Sequence, residues 1–148
     1  MPEKESVMQV LRLRPNFKRT IDGVGGLATV VVQDAKTLRV LMNAFTDEAG
    51  FRESLKTGKV SLFSTSRKKS WIKGESSGNF MRIIGVRVDC DGDAILYLVE
   101  PQGPGLACHT NAKSCFYRDI SGRSEPAPDA GEHEALKFVD VDVHKDLL

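Results

Sequence analysis

Cys90, Cys108 and Cys115 are the only cysteines in this chain, spaced C-x17-C and C-x6-C with no C-x-x-C pair. That spacing does not make a structural zinc knuckle. Three thiolates on one Zn²⁺ would leave a fourth tetrahedral position open, the arrangement of a catalytic zinc. The alternative is three unrelated small core residues. An odd number of cysteines is in any case a poor disulfide framework.

Asp89, Asp91 and Asp93 stand at alternate positions. In an extended strand their carboxylates point to one side, unless the segment bends at Gly92. Like charges that close repel unless a cation sits among them, and oxygen ligands suit Mg²⁺ or Ca²⁺. The competing reading is a solvated acidic turn. A calcium-sensor loop is excluded. Glu100 falls at its last ligand position, but Ala94 stands where that loop needs glycine, and Ile95 to Val99 reads as strand.

Ser64 to Asn79 mixes cations, hydroxyls and glycines, the groups that bind phosphate oxygens. Trp71 could stack on a base or simply pack. The alternative is a solvated basic loop. One tryptophan and the cations Arg67, Lys68, Lys69 and Lys73 are thin support for nucleic-acid binding. His109 follows Cys108 directly. In a regular strand the two would face opposite ways, so His109 suits a general acid/base role rather than the same metal.

These residues need a scaffold. The chain has 148 residues, 41% hydrophobic and 28% charged, with a net charge of +1. That supports one domain with a real core and shows no global bias toward nucleic acid or membrane. No apolar run is long enough to cross a bilayer, and the charged start lacks a signal core, so a cytoplasmic protein is expected.

Met1 to Asn16 reads as a short amphipathic helix ending before Pro15. Leu27 to Gln33 and Leu38 to Phe45 read as a hairpin joined at Asp34 to Thr37. Thr46 is the expected N-cap of a helix with Ala49, Phe51 and Leu55 on its apolar side, stopping at Gly58. Val60 to Ser64 is a short strand, and Ser64 to Asn79 a long loop. Phe80 to Val88 and Ala94 to Val99 are strands around the acidic turn. Pro101 to Gly105 is another turn, and Cys108 to Arg118 is partly extended. The sum is an α+β domain, dominated by antiparallel strands with a few short helices. It divides into an N-terminal segment (1–20), the domain proper (21–120) and a flexible C-terminal tail (121–148), with a possible edge strand at Phe138 to Val143.

Taken together, the motifs resemble the phosphoribosyl-AMP cyclohydrolase family of histidine biosynthesis. The resemblance is carried by Ser66-Arg67, by Trp71-Ile72-Lys73-Gly74-Glu75-Ser76-Ser77-Gly78-Asn79, by Asp89-Cys90-Asp91-Gly92-Asp93-Ala94, by Ala107-Cys108-His109-Thr110 and by Ser114-Cys115-Phe116-Tyr117-Arg118. It covers about Leu27 to Arg118.

The resemblance implies zinc on Cys90, Cys108 and Cys115, and magnesium on Asp89, Asp91 and Asp93. It implies hydrolytic opening of the adenine ring of phosphoribosyl-AMP between N1 and C6, with His109 moving a proton. Ser66, Arg67, Trp71, Lys73, Glu75, Ser76, Ser77 and Gly78 would contact substrate. It implies a homodimer whose active sites lie at the interface, Cys90 from one chain meeting Cys108 and Cys115 of its partner. Two departures stand out. Similar proteins usually carry Arg at the position of Thr65, and an aromatic-Met-Asn stretch at Asn43 to Thr46. They keep two alternatives open: a cyclohydrolase with an altered nucleotide substrate, or a paralogous metal-binding protein without catalysis. Nucleoside deamination is excluded by the absence of its H-x-E and P-C-x-x-C signatures.

Overall fold

A computed structural model of the chain describes residues 14–118. Most of the expected N-terminal helix, the C-terminal tail and its edge strand lie outside the described residues. Within them, seven strands and one helix follow in the order β1 (Arg19–Ile21), β2 (Val24–Asp34), β3 (Val40–Asp47), α1 (Glu48–Thr57), β4 (Ser61–Ser64), β5 (Lys69–Ile72), β6 (Met81–Val88) and β7 (Ala94–Pro101).

β2 is the hub. It is hydrogen-bonded to β1 and β3 antiparallel and to β7 parallel, while β6 pairs antiparallel with β7. The α+β expectation therefore holds, with one helix among the described residues. The parallel β2–β7 pair, in which Val30 meets Ile95, was not anticipated. Alternation builds the core: Val30 and Val32 on β2, and Ile95, Tyr97 and Val99 on β7, bury successive inward side chains. Val60, Leu62 and Met81 close over them, with Phe51 and Trp71 packed at the margin.

The β2–β3 connection forms as expected. Asp34 Oδ1 accepts from the backbone N–H of Lys36 (2.8 Å) and of Thr37 (3.0 Å), a side chain standing in for backbone at the turn.

Three local expectations are corrected. Thr46 is not the N-cap. Asp47 is, its Oδ1 accepting from Gly50 N–H at 2.7 Å, because Thr46 is fully buried while Asp47 is only partly so. Nor does α1 dock through Leu55, which is 54% exposed. Gly50 and Ser54 form its buried face: Ser54 Oγ accepts from Ser61 N–H at 2.8 Å and donates to Ser61 C=O at 3.2 Å. Small residues let the helix backbone approach β4 closely, and a Cβ at Gly50 would lie 2.4 Å from Thr46 Oγ1.

Finally, Ser64 to Asn79 is not all loop. Lys69 to Ile72 returns as β5, with Leu62 opposite Trp71 and Ser61 opposite Ile72. The cationic run hides two apolar residues, Trp71 and Ile72, that turn partly inward at its end. Cys108 to Cys115 runs through turns and bends, and Phe116 to Arg118 follow without regular secondary structure.

Candidate functional site

Two clusters gather the chemistry-bearing residues. The first is on the segment after β7. Cys108 N–H donates to Ala112 C=O (3.1 Å) and Asn111 N–H to Cys108 C=O (3.0 Å), folding residues 108–112 into a tight turn. This turn is fastened to the edge of β3 by Cys115 N–H donating to Leu41 C=O (2.7 Å) and Ser114 Oγ donating to Val40 C=O (2.7 Å). Cys108 and Cys115 thereby become neighbours.

Cys108 is buried, and its Sγ accepts from Thr110 Oγ1 at 3.0 Å. Burial pushes the Cys115 thiol up to about 12; the charge and hydrogen bond of Cys108 add to the rise, and Lys73 opposes it. Residue Cys115 is exposed overall, but its thiol faces this crowded corner.

Lys73 completes the corner. Only 8% exposed, it has its ammonium pushed below the usual lysine range by burial, while Cys115 and Cys108 pull it back up. Its backbone is fixed by donation to Val60 C=O at 2.9 Å. Gly74 then turns with φ 96°, and a Cβ there would lie 2.4 Å from the backbone nitrogen of Phe80, so only glycine fits. Asn79 Oδ1 accepts from Leu106 N–H at 3.2 Å, tying this turn to the cysteine segment. The motif reading made Lys73 a phosphate contact; its surroundings here are thiols.

The second cluster is the β6–β7 turn. The bend at Gly92 (φ 81°), rather than an extended strand, brings the carboxylates together. One ligand oxygen from each of Asp89, Asp91 and Asp93 lies within 4.8 Å of the others. Asp89 Oδ1 also accepts from Ala94 N–H at 3.1 Å. Asp93 is 3% exposed and forms an ion pair with Arg19.

Hydrogen bonding to Asp93, then desolvation and the proximity of Asp89, raise the Asp91 carboxyl above its ordinary range. Burial acts to raise Asp93 too, but the Asp91 hydrogen bond and Arg19 outweigh it and hold that carboxyl low. Asn16 Nδ2 donates to Asp91 C=O at 2.6 Å, and Asn16 N–H to Gly92 C=O at 2.6 Å. Sequence reasoning missed Asn16 and Arg19, because nothing local links them to a turn so far along the chain.

The remaining residues are spread around these clusters. Ser66 and Arg67 lie exposed on the β4–β5 turn, where Ser64 Oγ accepts from Arg67 N–H at 3.2 Å. Thr65 Oγ1 donates to Asp22 Oδ2 at 2.7 Å. Trp71 is half-buried against the core. Glu75, Ser76, Ser77 and Gly78 form an exposed turn, and His109 is exposed beside Cys108.

Among the described residues, the aspartates are the one group of three or more such side chains close enough to share an ion. Their hard oxygens fit magnesium. Cys108 and Cys115 offer a soft pair that fits zinc, but exposed Cys90 does not join them within one chain.

The family model for phosphoribosyl-AMP cyclohydrolase matches residues 42–117. The chain belongs to the phosphoribosyl-AMP cyclohydrolase family. It is 53% identical over 97 residues to the phosphoribosyl-AMP cyclohydrolase of Archaeoglobus fulgidus, covering 66% of this chain and 88% of that one. It is 41% identical over 136 residues to the Rhodopseudomonas palustris (strain BisB18) protein of the same name, covering 92% and 88%. Against the histidine biosynthesis bifunctional protein HisIE of Deinococcus radiodurans it is 47% identical over 114 residues, 77% of this chain but 50% of the relative. The chain thus spans about half of such a bifunctional relative. Membership makes it a hydrolase-class enzyme. No helix among the described residues is long and apolar enough to cross a membrane.

Proposed function

We propose that the chain hydrolyses phosphoribosyl-AMP in histidine biosynthesis, opening the adenine ring at the N1–C6 bond. The observation that carries this reading is the corner in which buried Lys73 faces the paired thiols Cys108 and Cys115, all within the segment the family model matches. The phosphoribosyl group on N1 makes C6 electrophilic. Water adds at C6 to give a tetrahedral centre, and its collapse breaks the N1–C6 bond.

Cys108 and Cys115, with Cys90 from a second copy, would hold zinc, which when bound makes a water nucleophilic at neutral pH. Asp89, Asp91 and Asp93 would hold magnesium. Exposed His109 holds the proton that leaving N1 requires. Arg67 and the Ser76-Ser77-Gly78 turn bind phosphate, and Ser66, Trp71, Lys73 and Glu75 frame the nucleotide. This reading carries a cytoplasmic location and a homodimer with shared sites.

The test is to supply the purified chain with phosphoribosyl-AMP and zinc and follow ultraviolet absorbance and ammonia together. Ring opening without ammonia is expected. No turnover in the zinc-loaded dimer, or ammonia release, would overturn the assignment. A second reading, a cyclohydrolase for a related N1-substituted adenine nucleotide, is favoured by Thr65, whose hydroxyl is already engaged by Asp22. Faster turnover of such a nucleotide than of phosphoribosyl-AMP would select it.

A further inference from the structure

We propose that Arg19 is the resident counter-cation of the Asp89, Asp91 and Asp93 cluster, and that a divalent cation binds there in exchange for it. The inference rests on reading that turn as the magnesium site.

Asp93 is the most buried of the three carboxylates, and a buried charge is retained only with a partner. Its partner is Arg19, whose guanidinium meets Asp93 Oδ2. Arg19 is aimed there by an irregularity in the β1–β2 register between Arg19 and Ile21, the kind of break that redirects a side chain.

The guanidinium itself is half exposed, so it can swing into water at little cost. Its departure would not undo the turn, which is held separately. Asn16 binds the carbonyls of Asp91 and Gly92, Asp89 caps Ala94, and the close fit of Gly92 against Asn16 leaves 2.8 Å between a Cβ and Nδ2. The backbone of the site is therefore preformed, while the charge on Asp93 is shared with a side chain that can leave. A divalent cation collecting one oxygen from each aspartate would sit against that guanidinium, and two cations at contact range repel. Arg19 thus keeps the cluster neutralised when divalent cation is scarce, lowers its affinity, and is freed beside the ion when it binds.

The test uses Mn²⁺ as the spin probe for a hard divalent cation, titrated into the full chain and followed by electron paramagnetic resonance, with thermal unfolding run in parallel. Arg19→Met should bind Mn²⁺ roughly fivefold more tightly than wild type, the scale of one solvent-screened unit charge at contact range. Arg19→Lys, which keeps the charge, should stay near wild type, and Asp91→Asn should bind much more weakly. Metal-free Arg19→Met should melt below wild type, and saturating Mn²⁺ should erase the difference. Equal or weaker binding by Arg19→Met would overturn the exchange while leaving the cation site standing. So would an Arg19→Lys affinity matching that of Arg19→Met. Failure of the wild type to bind Mn²⁺ would overturn the site and the exchange together.

Discussion

Cys90 and Cys115 carry the same thiol in different surroundings, and this difference is open to chemistry. The thiolate is the nucleophile, so a thiol held to about 12 reacts slowly below that pH. In metal-free chain at pH 8, we expect iodoacetamide to modify exposed Cys90 well before Cys115, with the Cys115 rate still climbing between roughly pH 9 and 11. Peptide mass spectrometry reads both; equal rates would contradict the crowded corner. His109→Ala should fold, keep zinc and lose about a hundredfold or more in rate, the scale of a missing acid/base group. Zinc loss measured by metal analysis would make His109 a ligand instead. At this scale the sequence was informative about which side chains could carry chemistry, since thiols and carboxylates announce themselves by type and spacing. It was blind to what they face. Lys73 sits in a motif that suggests phosphate, yet fold closure buries it against Cys108 and Cys115. Arg19 reaches Asp93 only because the β2–β7 pairing brings their neighbourhoods together.

The elements show the same division. The hairpin over β2 and β3, the two strands flanking the acidic turn and the helix stop at Gly58 were legible from alternation and turn chemistry. β5 was not, because Lys69 and Ser70 face out and only Trp71 and Ile72 turn partly inward, too short a pattern to stand out from a basic run. The helix start slipped by one residue because Thr46 and Asp47 are both good caps. Burial of Thr46 in β3 decides between them, and burial is a tertiary fact. Asp47→Ala should therefore lower stability by about 1 kcal/mol, the usual worth of an N-cap. The Thr46 hydroxyl, which donates to Asp47 C=O at 3.0 Å, cannot replace it. Urea denaturation checks this; an unchanged midpoint would mean the cap contributes nothing.

At the scale of the whole molecule, the unmet cysteine is the decisive feature. Cys108 and Cys115 adjoin in one chain and Cys90 stands apart on an exposed turn. A two-fold dimer that shares its sites would supply the missing thiol twice. Refolding inactive Cys90→Ala together with inactive Cys108→Ala should restore activity, because in a mixed dimer one site collects both lesions and the other neither. A silent mixture, with mixed dimers verified by mass, would exclude shared sites. The hub position of β2 has a further consequence, for how the molecule is made. Among the described residues its parallel partner β7 is the last strand of the sheet to leave the ribosome, and Val30 has no Ile95 to pair with until then. Contacts of such long sequence separation form slowly. During synthesis, the apolar edge of β2 therefore stays open while most of the domain already exists, which makes the nascent chain, rather than the finished enzyme, the form most exposed to aggregation and to chaperones.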